Sequence, residues 1–285
     1  MLPGASLERM GRLIVSGALA CLAACAMAKL VTAAPPGPRA AIPRDPAALA
    51  RTLVDSKTEL AKAIDAWTAD GAPRPPDEVT LDALYDQRIE LLLAVRPALA
   101  GETLQRVSAE IAGVVRANLT AKRELWRLTP PTRRRRFRTG PALPPATLLR
   151  YYRDGQARFG VRWNVLAAVN FVESAFNKLR NNSTSGAQGP MQFIPATWRA
   201  YGLGGNVHDP HDAILGAAHY LHANGAPRDN RRALLRYNPS PLYVDAVLRY
   251  ARRIRIERRA FYEYYARQVF VRTPSGLRRI TGPGL

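Results

Sequence analysis

From Ala146 to about Ala266 the chain reads as helix after helix, joined at Gly, Asn and Pro clusters. No part of that stretch alternates apolar and polar residues as a half-buried strand would. It is therefore restricted to an all-α fold, whose active groups must project from helix faces and from the turns between helices. Three more helical patterns precede it. Leu49, Leu53, Leu60, Ile64 and Trp67 recur at helical spacing until Gly71 to Pro76 stops them. Leu81, Leu84, Leu92 and Val95 form a second series that ends near Pro97. Leu104, Val107, Ile111 and Val114 form a third, continuing towards Trp126. Residues 36–128 are thus expected to form a small helical bundle or hairpin, a spacer or scaffold without chemistry of its own, with cell-wall or partner binding as the alternative.

Between the two helical regions, residues 129–145 carry Pro130-Pro131, four consecutive arginines from Arg133 to Arg136, Gly140-Pro141 and Pro144-Pro145. The flanking prolines prevent a helix, so this reads as an extended, solvated linker. Residues 267–285 are basic, end in Gly-Pro-Gly before Leu285 and are expected to be a loosely ordered tail. The formal net charge of the 285 residues is +20, which attracts a polyanion: nucleic acid, anionic lipid or acidic wall polymer.

The N-terminus narrows that choice. Arg9 and Arg12 precede an uncharged run from Leu13 to Ala28, shorter than the roughly 20 apolar residues of a spanning helix. Ala26-Met27-Ala28 fits the cleavage site of a secretory signal. Leu22-Ala23-Ala24-Cys25 resembles a bacterial lipobox, in which Cys25 would be lipidated. A third reading is an uncleaved anchor running on to Ala34, with Lys29 snorkelling to the interface. Residues 1–35 are a signal peptide or an anchor plus linker on every reading, and each sends the protein out to the periplasm, cell envelope or medium. In an exported protein the basic residues are expected against anionic wall polymer or a membrane surface, and nucleic acid is not an expected partner. Cys21 and Cys25 are the only cysteines, so the rest of the chain holds no disulfide, redox pair or zinc–thiolate site.

Chemistry concentrates around Trp163 to Phe176, WNVLAAVNFVESAF. At helical spacing Val172, Val165, Phe176, Val169 and Leu166 fall along one arc of roughly 120°, and Glu173 falls inside it. A carboxylate on an apolar face is costly unless paired or protonated. Val169, Asn170, Phe176 and Asn177, the neighbours three and four residues away, supply no cation. Desolvation then raises the carboxyl pKa, as a general acid working near neutral pH requires. The plain alternative is a buried glutamate held by a distant arginine. The next segment, Asn181 to Phe193, is too polar and glycine-rich for a core element and can fold back beside Glu173. Gly186 and Gly189 allow close backbone approach, and Gln192 offers both donor and acceptor to a sugar.

Glu173-Ser174, the run Gly186-Ala187-Gln188-Gly189-Pro190-Met191-Gln192-Phe193-Ile194-Pro195-Ala196-Thr197-Trp198, and Tyr237-Asn238 followed by Tyr243-Val244 resemble the lytic transglycosylase catalytic domain. The resemblance covers roughly residues 146 to 255 and implies a goose-type lysozyme-like, all-α fold for a catalytic domain over 146–266. It implies that Glu173 protonates the glycosidic oxygen between N-acetylmuramic acid and N-acetylglucosamine of peptidoglycan. Glu173 then takes a proton from the muramoyl 6-hydroxyl, closing a 1,6-anhydro ring. Ser174 would bond the substrate N-acetyl group, and Met191, Gln192 and Phe193 would line the cleft. Tyr237, Asn238 and Tyr243 would complete the substrate site. No motif places a second carboxylate beside Glu173, as two-carboxylate glycosidases need. A water-using muramidase and a non-catalytic glycan-binding protein are the alternatives.

Arg236 before the Tyr-Asn pair and Pro239-Ser240-Pro241 after it depart from some relatives, which bears on one cleft wall. The loop Gly202 to Asp209 lacks the oxygen ligands of a calcium site, and His208, Asp209, His211 and Asp212 read as a helix cap rather than a metal cluster. Neither metal nor cofactor is expected.

Overall fold

The structure is a computed structural model that describes residues 34–285. The uncharged run, with Cys21 and Cys25, lies outside the described residues. Eleven helices and one small hairpin make up the described chain. They are α1 Pro46–Asp70, α2 Asp77–Val95, α3 Pro97–Leu104, α4 Ala109–Leu128, α5 Pro145–Phe159, α6 Trp163–Ser174, α7 Pro195–Tyr201, α8 Pro210–Ala223, α9 Asn230–Tyr237, α10 Pro241–Ile256 and α11 Arg259–Ala266, followed by β1 Phe270–Thr273 and β2 Gly276–Arg279. None of these helices is long and apolar enough to cross a membrane.

The prolines that break the sequence into segments start its helices. Pro46, Pro97, Pro145, Pro195, Pro210 and Pro241 each open one, where a missing N–H costs nothing and the fixed φ is already helical. Asp45 caps α1 by accepting from Ala48 N at 2.8 Å. Asp209 caps α8, accepting from His211 N and Asp212 N. The helix expected to run from Leu104 towards Trp126 is instead two: α3 ends at Leu104, and Ser108 caps α4 through Ile111 N.

Residues 36–128 do not stand apart from the rest. Residues 34–285 form one compact unit. Helix α4 lies along α10, while α1 and α2 pack on α11. A single core runs from Leu60, Ile64 and Trp67 through Leu166, Val169 and Phe176 to Tyr250, Phe261 and Tyr264. A smaller apolar cluster (Leu49, Leu53, Ile89, Leu93, Val115 and Leu119 among its members) belongs to α1–α4 alone.

Buried charges tie the same elements together. Lys57 reaches Asp86 at 2.9 Å and Glu90 at 2.8 Å, while Arg267 reaches Glu90 at 2.6 Å and Glu263 at 2.9 Å. Arg253 meets Glu263 at 2.6 Å, and Tyr264 donates to Asn118 Oδ1 at 2.7 Å. Burial would raise the Glu263 carboxyl, but Lys57, Arg253 and Arg267 together hold it well below the usual range. Burial prevails at Asp86, pushing it up to about 6 despite Lys57. Removing one partner from such a network strands a buried charge, which is strongly destabilising.

Two further expectations need correction. The arginine segment is extended, but its backbone is tied down. Thr132 N donates to Arg272 O at 2.8 Å, Arg180 N to Arg138 O at 2.8 Å and Gly140 N to Lys178 O at 3.1 Å. The C-terminal stretch is not a loose tail. Phe270 pairs with Arg279 and Thr273 with Gly276 across a tight antiparallel turn. Gln87 fastens its start, donating to Gln268 O and accepting from Gln268 N, both at 2.8 Å.

Candidate active site

Glu173 sits in the last turn of α6, where the partial negative charge of the helix end disfavours a carboxylate. The helix stops one residue later. Ala175, Phe176 and Asn177 all take positive φ (50°, 61° and 66°) and wind the chain sharply back. Such conformations are costly for residues with side chains and persist only where surrounding packing holds them. Phe176 is fully buried by this turn. It thus reaches the core, though not along the helical arc that its spacing suggests.

The Glu173 side chain is partly buried and has one protein partner. Tyr243, in the first turn of α10 and 2% exposed, donates its hydroxyl to Glu173 Oε1 at 2.5 Å. Burial pushes the Glu173 carboxyl up to about 7, against which the Tyr243 hydrogen bond pulls down. Tyr237 closes α9, its ring parallel to that of Tyr243 with centroids 6.5 Å apart. Its hydroxyl donates to Met191 O at 2.5 Å. Burial, and after it the charge of Glu173, raises the Tyr237 hydroxyl well above its ordinary range, so it remains a donor.

The glycine-rich segment folds beside this carboxyl as a tight turn. Gln188 and Phe193 exchange backbone hydrogen bonds at 2.9 and 2.8 Å around Gly189 to Gln192. Gly189 has φ 72°, and a Cβ there would lie 1.9 Å from Val207 O, so only glycine fits. Gln192, itself at φ 51°, donates its side-chain amide to Gly189 O at 2.9 Å. Phe193 is buried between Trp198 and Tyr237, at 5.2 and 5.9 Å between ring centroids.

Ser174 is placed differently from what the resemblance implies. Its hydroxyl, 2% exposed, donates to Pro190 O at 2.6 Å and accepts from Asn177 N at 2.9 Å. With donor and acceptor engaged inside the protein, it clips the glycine turn to α6 and leaves nothing for a sugar. Met191 is likewise fully buried, and it contributes its carbonyl to the site rather than an exposed side chain. Asn238 ends α9, its backbone N–H donating to Leu234 O at 2.9 Å. The Asn238 side chain is partly buried and forms no hydrogen bond with the described residues.

Asn170 and Tyr152 escaped sequence reasoning. Asn170 Nδ2 donates to Pro190 O at 2.9 Å, and Tyr152 donates to Asn170 Oδ1 at 2.6 Å. Together they fix the carbonyl that Ser174 also holds. The signal was an asparagine three residues before Glu173 inside an otherwise apolar run.

His211 and His219 pack against aromatic rings, while His208 and His222 are exposed. His211 faces Asp154 at 3.2 Å and the ring of Tyr151, while His219 stacks on Phe159 at 5.1 Å. Asp86, Glu90 and Glu263 converge closely enough to hold a cation, but Lys57 and Arg267 already supply the positive charge among them.

The site therefore sets one carboxyl, raised by burial, at the end of α6 beside two tyrosines and a glycine-clasped turn in an all-α fold. Residues 150–258 match the family model of the transglycosylase SLT domain, consistent with a lytic transglycosylase catalytic domain. That family's lytic transglycosylases act on the glycosidic bonds of peptidoglycan. No curated protein and no solved structure matches the chain.

Proposed function

We propose that the protein is an exported peptidoglycan lytic transglycosylase. It cleaves the β-1,4 bond between N-acetylmuramic acid and N-acetylglucosamine, with Glu173 as its acid and then its base. The observation that carries this reading is the Glu173 carboxyl, lifted by burial to about 7 with no cation beside it among the described residues. Near neutral pH such a group is available in both protonation states.

In the first step the proton of Glu173 passes to the glycosidic oxygen as the bond from C1 breaks. The carboxylate left behind is stabilised by the Tyr243 hydroxyl. It then removes the proton of the muramoyl 6-hydroxyl as that oxygen bonds to C1. The 1,6-anhydro ring closes, Glu173 regains its proton and no water is consumed. Tyr237 and Asn238 border the reacting sugar, and Gln192 lies on the neighbouring turn.

A hydrolase would need a second carboxylate to activate water. None is among the groups that shift Glu173. In the nearby loop, Asp209 is occupied by the α8 cap, and Asp212 accepts from Asn206 N at 2.8 Å. The uncharged run at residues 13–28 supports export. The decisive experiment is mass spectrometry of peptidoglycan digested by the purified protein and by Glu173→Gln. The wild type should release muropeptides with 1,6-anhydro ends, lighter by one water than hydrolysed ones, and the variant should release none. Reducing muramic acid ends as the main product would make the protein a hydrolase.

A further inference from the structure

Three stretches of this chain carry arginine and no acidic residue at all: 34–44, 129–144 and 264–285. The fold brings them together. Pro38 packs against Gly284, where a Cβ would lie 2.8 Å from the proline ring. Arg279 donates to Gly284 O at 3.2 Å, and Arg278 donates to Arg134 O at 2.7 Å while covering the Phe137 ring. Arg88 lies on α2. Burial lowers the Arg279 guanidinium pKa, and the like charges of Arg88 and Arg39 lower it further.

None of Arg39, Arg88, Arg133–Arg136, Arg278 or Arg279 forms a salt bridge among the described residues, although carboxylates elsewhere pair freely. Cations gathered without a counter-charge have the character of a site for phosphate oxygens.

We propose that Arg39, Arg88 and Arg279, rimmed by Arg278 and the Arg133–Arg136 run, form a docking face for the phosphate headgroups of an anionic lipid bilayer. The position of the face in the chain selects the bilayer over other polyanions. Arg39 follows Ala28, the end of the uncharged run, by eleven residues, a reach of at most about 40 Å even when fully extended. Wherever that run meets a membrane, the arginine face is the part of the body delivered to the same leaflet. The contact would hold the body in one orientation on the surface while the cleft at Glu173 works on glycan.

The membrane contact rests on the lipidated or uncleaved-anchor reading of the N-terminus and is independent of the catalytic one. It can be tested on a chain beginning at Ala34, because every residue of both apolar cores lies between Leu49 and Ala266. That protein should co-sediment with phosphatidylcholine vesicles containing phosphatidylglycerol at about one part in three, and not with phosphatidylcholine alone. Replacing Arg39, Arg88 and Arg279 together by Gln should weaken binding roughly fivefold per arginine, on the order of a hundredfold in all. Cleavage of soluble glycan fragments should be unchanged in the same variant, so a failure of the lipid arm is distinguishable from a failure of the enzymatic reading. Should the triple variant not fold, Arg133→Gln with Arg135→Gln alters only exposed side chains and should cost roughly twentyfold. Equal binding to neutral vesicles, or undiminished binding by a folded variant, overturns the proposal. Preference for soluble polyphosphate over vesicles of equal phosphate content overturns it too, in favour of a wall polymer.

Discussion

The Tyr243 hydroxyl donates to Glu173 Oε1 over 2.5 Å, joining the start of α10 to the end of α6. Two opposed influences meet in that contact. Burial favours the neutral acid, while a hydrogen bond to the carboxylate favours the charged form, and burial prevails. Burial also raises the Tyr243 hydroxyl well above its ordinary range, as does the charge of Glu173, so it stays a donor at any working pH. The pair therefore sets both the proton affinity of the acid and the stability of the carboxylate formed when the proton leaves.

Tyr243→Phe should keep the fold and raise the Glu173 pKa further. A hydrogen bond to a charged group contributes about 1.5–3 kcal/mol, so the alkaline limb of the rate profile should move up by about one to two pH units. The plateau rate should also fall, because the carboxylate formed in the first step loses its donor. A limb that stays in place would show that Tyr243 does not govern the acid.

Glu173→Gln should be inactive and, at alkaline pH, more stable than the wild type. The Glu173 pKa is raised from 4.5 to about 7 by folding. Below 4.5 the group is protonated in both states and contributes no pH dependence. Above it the unfolded chain ionises first, so stability falls with rising pH until the folded group has also ionised beyond about 7. The penalty then is on the order of 3 kcal/mol, and Gln escapes it. Denaturant unfolding at pH 4 should give similar stabilities, whereas at pH 8.5 or so the variant should lead. Equal stabilities at the alkaline pH would mean that the carboxyl is not desolvated as described.

Ser174→Ala separates the fold's reading of this residue from that of the resemblance. Losing the hydroxyl leaves Asn177 N without its acceptor and the Pro190 carbonyl with Asn170 alone. A cost of about 1–3 kcal/mol is expected, visible as a lowered unfolding midpoint together with a reduced kcat as the glycine turn loosens. A raised KM with an unchanged midpoint would instead mark a substrate contact.

Local chemistry was legible in the sequence, and long-range pairing was not. Asp209 acts within a turn of its own position, as a helix cap does, and Glu173 stood out because a lone carboxyl interrupts an apolar arc. The role of Ser174 depends on the left-handed turn at Ala175–Asn177, and residues with side chains give no sequence signature for positive φ. The C-terminal hairpin was hidden by strands of four residues each, too short to show alternation. The unity of the two helical regions rests on pairs such as Tyr264 with Asn118, 146 residues apart, which no local pattern encodes.

That unity decides what truncation will do. The sequence alone suggests that a chain lacking residues 1–140 keeps every catalytic motif and should fold and cleave. The structure argues otherwise. Such a fragment uncovers the face of α10 that α4 occupies and bares Tyr262 and Tyr265, which pack on Trp67. It strips Lys57, Asp86 and Glu90 from the network around Glu263, Arg253 and Arg267. Breaking a buried ion pair on one side costs about 3–5 kcal/mol, a large share of the 5–15 kcal/mol that holds a typical domain. Residues 141–285 alone should be insoluble or inactive, and co-expression with residues 34–128 should restore both solubility and glycan cleavage. Gel filtration and a muropeptide assay on the two preparations give the answer. A monodisperse, active fragment would mean that α1–α4 are a dispensable scaffold after all.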